Sequence, residues 1–197
     1  MARLNADDRR RQILAAAREV FLAVGPEGAR VSQIAEHAGV NQALLYRFFD
    51  SKEAMFEAAV IEPLDEALAQ LLADMSGQLD VDRAHETVRM FFRTILGIFD
   101  DAFELFSIAL FSDRRAGHEF YATRIVPFLD RLAVQIDDAG DQWPQSSDAR
   151  VTVPMSLGMC WGVVMDAHLR EIEVDLDTVA DQLAVVLVCG LFGRTED

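Results

Sequence analysis

Apolar residues recur every three or four positions along most of this 197-residue chain. That interval matches the turn of an α-helix and indicates one apolar face after another. Five prolines and eleven glycines are too few for a β protein with many turns. Val185 to Val188 has strand propensity, but its neighbours are helical and no partner strand is evident. The sequence therefore predicts an all-α fold.

Caps and helix breakers set the predicted helix boundaries. Asn5 caps a first helix that ends at the Gly-Pro-Glu-Gly run of 25–28, and Ser32 caps a short second helix. A third short helix covers about 42–49, and Asp50 or Ser51 caps a fourth that Pro63 bends or interrupts. Further helices are predicted at about 82–99, 102–112, 117–138, 148–171 and 177–192, with Asp82 and Asp177 as caps and a loop at 139–147.

Charge divides the chain unevenly. The whole chain has a formal net charge of −15, but residues 1–52 hold eight basic and six acidic side chains, which gives +2. The remainder carries −17. This asymmetry suggests that the N-terminal end approaches a polyanion, whereas the acidic part is held away from it. An acidic surface that serves only solubility is the alternative.

Several classes of protein are not expected. The N-terminus lacks the apolar stretch of a secretory signal, and the most apolar run, 183–191, is too short to span a bilayer. We therefore expect a cytoplasmic chain with no membrane partner. Cys160 and Cys189 lie within apolar helical patterns and are interpreted as buried small hydrophobes.

We find no catalytic constellation. The chain has no glycine-rich phosphate loop, and its cysteines lack metal-ligand spacing. His168 and Glu171 could share a metal ion, but no second pair supports them. We therefore expect no enzyme activity, no catalytic residue, no metal and no cofactor.

Residues 31–49 carry the most informative motif. Two short helices that cross steeply need a small residue at the contact, which Ala35 supplies, and a turn tolerant of positive φ, which Gly39 supplies. Apolar residues at Ile34, Val40 and Leu45 are spaced to close a small core with Phe48. This arrangement predicts a helix-turn-helix.

The third helix of this motif has two distinct faces. Leu45, Phe48 and Phe49 point inward, which leaves amide, hydroxyl and guanidinium groups and small apolar contacts facing outward. Such a surface suits a major groove, although an ordinary amphipathic helix is the alternative. Lys52 lies in the first turn of the fourth helix, where a cation opposes the helix dipole unless a phosphate docks there. The predicted DNA-binding residues are Ser32, Asn41, Gln42, Ala43, Leu44, Tyr46, Arg47 and Lys52.

Residues 9–58 resemble the N-terminal domain of TetR-family (tetracycline-repressor-like) transcriptional regulators. The chain departs from the family pattern at Ala43-Leu44, where Gly-Thr is frequent, so a thymine methyl contact replaces a hydroxyl contact at Leu44. We place a helix-turn-helix DNA-binding domain at 1–52 and an all-helical domain for ligand binding and dimerisation at 53–197. The matching residues are Ile13 to Ala17, Val20, Phe21, Gly25, Ile34, Ala35, Ala38 to Val40, Leu45, Tyr46, Phe48, Phe49 and Ser51 to Glu53.

The resemblance implies a dimer formed by the last two helices. Within 151–169, apolar residues and glycines follow a 4-3-4-3-4 spacing on one face, and a second apolar set lies opposite. A helix that is apolar on two sides must be buried on two sides, one of them by a partner subunit. The predicted interface residues are Met155, Gly158, Gly162, Met165, Leu169, Leu183, Leu187 and Leu191.

The resemblance also implies a small-molecule effector, and aromatic residues crowd the middle helices. At helical spacing such residues are usually core, so a cavity among them would be apolar with few polar anchors. The candidate ligand-binding residues are Phe91, Thr94, Ile95, Phe99, Phe103, Phe106, Tyr121, Phe128, Met159 and Trp161.

Two functional hypotheses follow. The first is a homodimeric regulator, most simply a repressor, that an apolar or amphipathic effector releases from an inverted-repeat operator in duplex DNA. The second is an all-helical small-molecule-binding or adaptor protein whose N-terminal module does not bind DNA. Lys52 and the polar face of 42–47 favour the first.

Overall fold

A computed structural model describes residues 5–75, 84–138 and 148–192 of the chain. These residues form helices and connecting turns and contain no strand, so the prediction of an all-α fold is confirmed. The helices are α1 (Ala6–Gly28), α2 (Val31–His37), α3 (Gln42–Leu45), α4 (Lys52–Phe56), α5 (Glu62–Met75), α6 (Ala84–Asp101), α7 (Phe103–Phe111), α8 (Arg114–Phe120), α9 (Val126–Asp138), α10 (Ala149–Arg170) and α11 (Leu176–Phe192).

The chain forms two compact units. The first contains residues up to Glu66 together with Glu104–Phe120, and the second contains Ala67–Phe103 and the residues from Tyr121 onward. The first unit thus joins the helix-turn-helix region to α8 and most of α7. The functional boundary at residue 52 stays a prediction.

In the first unit, α1 packs against α2 and α4 and against the helical turn at 57–61. Its inward face is fully buried at Ile13, Ala17 and Phe21. The Phe21 ring meets the Phe56 ring edge to face, with centroids 5.1 Å apart. Burial of these apolar side chains holds α1 against α2, α4 and the turn at 57–61.

Helix ends follow the predicted caps at some positions and not at others. The Asn5 side chain accepts a hydrogen bond from Asp8 N (2.8 Å), and the Ser51 hydroxyl accepts one from Ala54 N (3.1 Å). Ser32 is not a cap, because α2 already begins at Val31 and the Gln33 side chain accepts a hydrogen bond from the N–H of Arg30 instead.

Two segments of wider π-helix precede prolines. Glu57–Ile61 lies just before Pro63, and Tyr121–Ile125 lies just before Pro127. A proline lacks the N–H of the regular helical ladder and excludes the carbonyl four residues earlier, and a wider turn accommodates both. Pro63 therefore distorts the helix without ending it, and the single helix predicted at 117–138 is divided into α8, a π segment and α9.

In the second unit, α11 packs along α6, and α10 packs on α6 and α9. Ala180, Ala184 and Leu187 form the buried face of α11. At its start, Asp177 forms ion pairs with arginines of α6, at 3.4 Å from Arg89 Nη1 and 3.2 Å from Arg93 Nε.

The start of α11 corrects one predicted cap. Asp175, not Asp177, caps the helix, because its carboxylate accepts hydrogen bonds from Asp177 N and from the N–H and hydroxyl of Thr178. These bonds, led by the one from the Thr178 hydroxyl, hold the pKa of Asp175 below its ordinary value. The predicted cap at Asp82 and the loop at 139–147 lie outside the described residues.

Candidate nucleic-acid interface

The helix-turn-helix is formed by α2, a tight turn and α3. Ala35 is buried where the helices meet, and Val40 N donates to Ala35 O (2.9 Å) across the turn. Gly39 has a φ of 62°, a left-handed conformation that a glycine adopts without steric cost. Ala35 and Gly39 therefore have the structural roles that the sequence predicts for them.

The inward face of the α3 segment is also as predicted. Leu45 is fully buried, Phe49 is nearly so, and Phe48 is half-buried. The α-helix itself ends at Leu45, and the chain continues in tight turns through Phe48. These apolar anchors hold the short segment against the rest of the unit.

The outward face presents polar groups to solvent. Gln42, Ala43 and Arg47 are exposed, and Tyr46 keeps 50% of its surface accessible. Leu44 is half-buried at the edge of this face. The structure thus brings five of the predicted DNA-binding residues together on one short surface, which we call the α3 face (Gln42, Ala43, Leu44, Tyr46 and Arg47).

Asn41 and Ser32 lie at helix starts. The Asn41 side chain accepts a hydrogen bond from Leu44 N (2.8 Å), so its carboxamide oxygen already caps α3. The carboxamide NH₂ is left for other partners. Ser32 is exposed in the first turn of α2.

Lys52 has a structural role that its sequence position does not reveal. Its ammonium donates to the main-chain carbonyls of Pro26 (2.7 Å) and Ala29 (3.2 Å), at the end of α1. This contact, which we call the Lys52 clamp, ties the first turn of α4 to the segment that leads into α2. The neighbouring Glu53 carboxylate accepts hydrogen bonds, chiefly from its own backbone N–H and then from Ser51, which lower its pKa.

Two further side chains position the motif and were not predicted. Gln12 Nε2 donates to Ala38 O (2.9 Å) at the end of α2, and the Arg10 guanidinium lies 5.4 Å from the centre of the Phe49 ring. Both come from α1. Their partners lie at least 26 residues away, so periodicity gave no signal for them.

The candidate ligand-binding residues are distributed over both units. In the second unit, Phe99 and Phe103 contact Trp161 at centroid distances of 5.5 and 5.2 Å. His168 stacks on Phe103 at 4.3 Å, and its Nε2 lies 2.8 Å from Asp100 Oδ1.

The other candidate ligand residues differ in burial. Ile95 and Phe128 are buried, and Tyr121 is exposed. Phe91, Met159 and Thr94 are half-buried, and the Thr94 hydroxyl donates to Met90 O. Phe106 is buried in the first unit.

The predicted dimer residues occupy different environments on α10 and α11. On α10, Met155, Met165 and Leu169 are exposed, as is Gly158, and Gly162 is half-buried. The opposite face of α10 is buried at Val153, Leu157, Cys160 and Val164.

On α11 the solvent-facing residues are not the predicted leucines. Leu187 is buried in its own unit and Leu183 is half-buried, whereas Val185 and Val186 are exposed. The Leu191 side chain lies outside the described residues. Cys160 is buried as expected, and burial raises the pKa of its thiol to about 12, but Cys189 is exposed rather than buried.

The described residues contain neither a candidate metal site nor a membrane-spanning helix. No cluster of three or more histidine, cysteine, aspartate or glutamate side chains there could hold a metal ion. Across the same residues, none of the helices combines the length and apolarity required to cross a membrane.

A short helix that exposes a polar face beside a tight turn, with its apolar face anchored, defines the helix-turn-helix class of DNA-binding domains. Residues 13–59 match the family model for bacterial regulatory proteins of the tetR family. The chain is thus similar to that family in its N-terminal segment.

Curated relatives agree in this segment. The transcriptional activator FasR of Mycolicibacterium smegmatis is 41% identical over 63 residues, which cover 32% of this chain and 29% of FasR. The transcriptional regulator RutR of Escherichia coli K12 is 43% identical over 65 residues, which cover 33% of this chain and 31% of RutR. The chain thus spans about three-tenths of the length of these relatives. Both are named as transcriptional regulators.

Solved structures extend the likeness to the whole fold. The fatty acid degradation regulator FadR of Bacillus halodurans aligns with a TM-score of 0.73 at 21% identity, covering 98% of this chain and 100% of that one. FadR of Bacillus subtilis, in complex with stearoyl-CoA, aligns with a TM-score of 0.67 at 20% identity, covering 91% and 98%. At these identities the likeness shows the fold alone.

Proposed function

We propose that this protein is a transcriptional regulator that binds duplex DNA through the α3 face. The observation that carries the proposal is the division of this segment: Leu45 and Phe49 are buried, whereas Gln42, Tyr46 and Arg47 are exposed beside a fixed turn. The backbone that carries these side chains is therefore held in place before DNA binds. A preoriented surface loses less conformational entropy on binding than a flexible one.

In this proposal the exposed side chains contact different parts of the DNA. An amide such as Gln42 pairs with adenine in the major groove, and the Tyr46 hydroxyl and the Leu44 methyl groups reach base edges. Arg47 binds backbone phosphate and therefore contributes affinity more than sequence preference. Ser32 and Lys52 lie in the first turns of α2 and α4, and we assign both to the phosphate backbone of the DNA. Ala43 allows the groove to approach closely, and Asn41 fixes the start of α3 by its cap.

The test is a selection of bound sequences from a random duplex pool, with wild type and single variants in parallel. Gln42→Ala or Tyr46→Ala should change the preferred sequence, whereas Arg47→Ala should weaken binding to most sequences. An Arg47→Ala protein with altered preference and undiminished affinity would contradict the assignment to phosphate. A wild type that enriches no sequence would favour the adaptor hypothesis.

We infer that the active form is a two-fold homodimer in which α10 and α11 meet their copies. On α10, Met155 is 51% exposed and Leu169 is 73% exposed in the isolated chain. On α11, exposed Val185 and Val186 replace the predicted Leu183 and Leu187 as the outward residues, because Leu187 is needed in the core. A two-fold dimer presents two α3 faces, so the selected DNA site should be an inverted repeat.

Sedimentation tests the dimer. A charged residue in Gly158→Glu should produce monomers, since it places an unpaired carboxylate in an apolar interface. Val134→Glu is the matched control, because Val134 is an exposed apolar residue on α9, outside the proposed interface. A wild type that sediments as a monomer at micromolar concentration would contradict the dimer, as would dissociation in the control alone.

We further propose that an apolar or amphipathic molecule binds among the second unit's aromatic residues and lowers operator affinity, so that the protein acts as a repressor. Phe99, Phe103 and Trp161 supply the apolar surface, and the Asp100–His168 pair supplies a polar edge. Stearoyl-CoA, which is bound to FadR of Bacillus subtilis, is a suitable first probe.

Thermal stabilisation by stearoyl-CoA, followed by operator titration with and without it, tests the effector. Typical allosteric couplings predict a loss of operator affinity of about 5- to 150-fold. A compound that stabilises the protein but leaves operator affinity unchanged would contradict the coupling. Failure of a broad library of apolar compounds to stabilise it would indicate a solid core.

A further inference from the structure

The α7–α8 hairpin brings two arginines into the same compact unit as the helix-turn-helix. Arg114 and Arg115 follow the turn between α7 and α8, and both are exposed. Among the described residues, neither guanidinium has a carboxylate within 4.0 Å. Two positively charged side chains without an ion-pair partner in the described part of the chain thus lie at the tip of this hairpin.

The hairpin tip adjoins the Lys52 clamp. A groove of about 310 Å³ is lined by Pro26 and Lys52 together with Asp113 and Ala116. Ala116 directly follows Arg115 in the chain. The two arginines therefore lie at the same corner of the unit as the first turn of α4.

The hairpin holds this position rigidly. Asp113 Oδ1 accepts a hydrogen bond from Ala116 N (2.7 Å), which fixes the turn. Gly117 lies so close to Leu110 that an added Cβ would overlap the Leu110 carbonyl oxygen and come within 2.8 Å of its carbonyl carbon. The arginine backbones are accordingly fixed relative to α7.

The Lys52 clamp leaves Lys52 little capacity to bind a phosphate. Two of the three ammonium protons of Lys52 are already donated to Pro26 O and Ala29 O. Glu27, Glu53 and Asp113 also line the groove beside Lys52, so its lining has a net negative charge that the two arginines offset. A guanidinium group has five donors and binds phosphate oxygens in a bidentate manner.

We propose that Arg114 and Arg115 bind backbone phosphates of DNA that flank the base pairs contacted by the α3 face. This inference rests on the proposed function and adds to it a second contact region outside the helix-turn-helix. The contact is to phosphate, so it raises affinity and salt sensitivity without changing the preferred sequence.

The test compares Arg114→Gln/Arg115→Gln with wild type in titrations of a selected duplex that extends beyond the selected site. Loss of two phosphate contacts should reduce the slope of log affinity against log salt by about 1.8. The wild-type advantage should then shrink about twelvefold between about 50 and about 200 mM salt. A duplex cut to the selected site should show no such difference.

Two further variants serve as controls. Arg114→Lys/Arg115→Lys keeps both charges and should keep most of the slope. Arg131→Gln/Arg150→Gln removes two exposed arginines of the second unit and should leave the slope unchanged. Equal slopes for wild type and Arg114→Gln/Arg115→Gln, or equal losses in both glutamine pairs, would overturn the inference while the proposed function stands. A wild type that binds no duplex would overturn both.

Discussion

Substitution of Lys52 by methionine separates the structural part of this residue from its part in DNA binding. Methionine keeps an unbranched stem but removes the ammonium that donates to Pro26 O and Ala29 O. A hydrogen bond from a charged group contributes about 1.5–3 kcal/mol to stability. Because Lys52 is half-buried, each of the two bonds takes a value near the lower limit, and the loss is about 3 kcal/mol.

For a chain of this size, each kcal/mol shifts the melting temperature by about 2–4 °C, so Lys52→Met should lower it by roughly 6–12 °C. The assay is thermal unfolding followed by circular dichroism. Arg47→Met is the matched control, since it removes an exposed cation of the same unit and should change stability by less than about 0.5 kcal/mol. Unfolding of Lys52→Met at the wild-type temperature would refute the clamp.

DNA binding by Lys52→Met gives a second result from the same protein. If the remaining ammonium proton binds a phosphate, the salt slope should fall by about 0.9. An unchanged slope with lowered stability would mean that Lys52 acts on DNA binding only by positioning α4 and the start of α2.

Three other expected outcomes concern stability and reactivity. Gly117→Ala should lower the free energy of unfolding in urea by about 1–3 kcal/mol, because its Cβ meets a main-chain carbonyl. Gly97→Ala should not, since its Cβ meets only the movable end of an arginine, and equal losses would contradict the packing argument. Iodoacetamide should leave Cys160, whose thiol pKa is about 12, unlabelled until urea is added; labelling of Cys160 in the native protein would contradict its burial. The lowered pKa of Asp175 gives stability that is present above the ordinary carboxyl pKa and lost as pH falls through the folded value. Asp175→Asn should therefore have a melting temperature that depends less on pH below about 4, and an unchanged dependence would contradict the cap.

The helix-turn-helix was predictable because its determinants are local. Gly39 is required by a positive φ, and Leu45 and Phe49 are required by the inward face of one short segment. Each of these follows from residue type and spacing within about fifteen positions.

The Lys52 clamp was not predictable, because its acceptors lie 23 and 26 residues away and are main-chain carbonyls. Every residue has a main-chain carbonyl, so residue type does not show which carbonyls accept a hydrogen bond from a side chain. The sequence therefore predicts only a phosphate contact for Lys52.

The outward face of α11 was missed for a different reason. This helix is apolar all round, so periodicity does not distinguish the side that packs on α6 from the side that faces solvent. The small residues Ala180 and Ala184, which allow close approach, mark the packed side. Leu187 follows them on that side, and this leaves Val185 and Val186 outside.

A salt titration of DNA binding tests the central claim most directly. Purified wild type is titrated against a duplex selected from a random pool and against a scrambled duplex of equal length, from about 50 to about 200 mM salt. We expect affinity for both to fall steeply with salt and the selected duplex to bind at least about 10³-fold more tightly throughout. Equal affinity for the two duplexes, or binding to neither, would contradict a DNA-reading function for the α3 face.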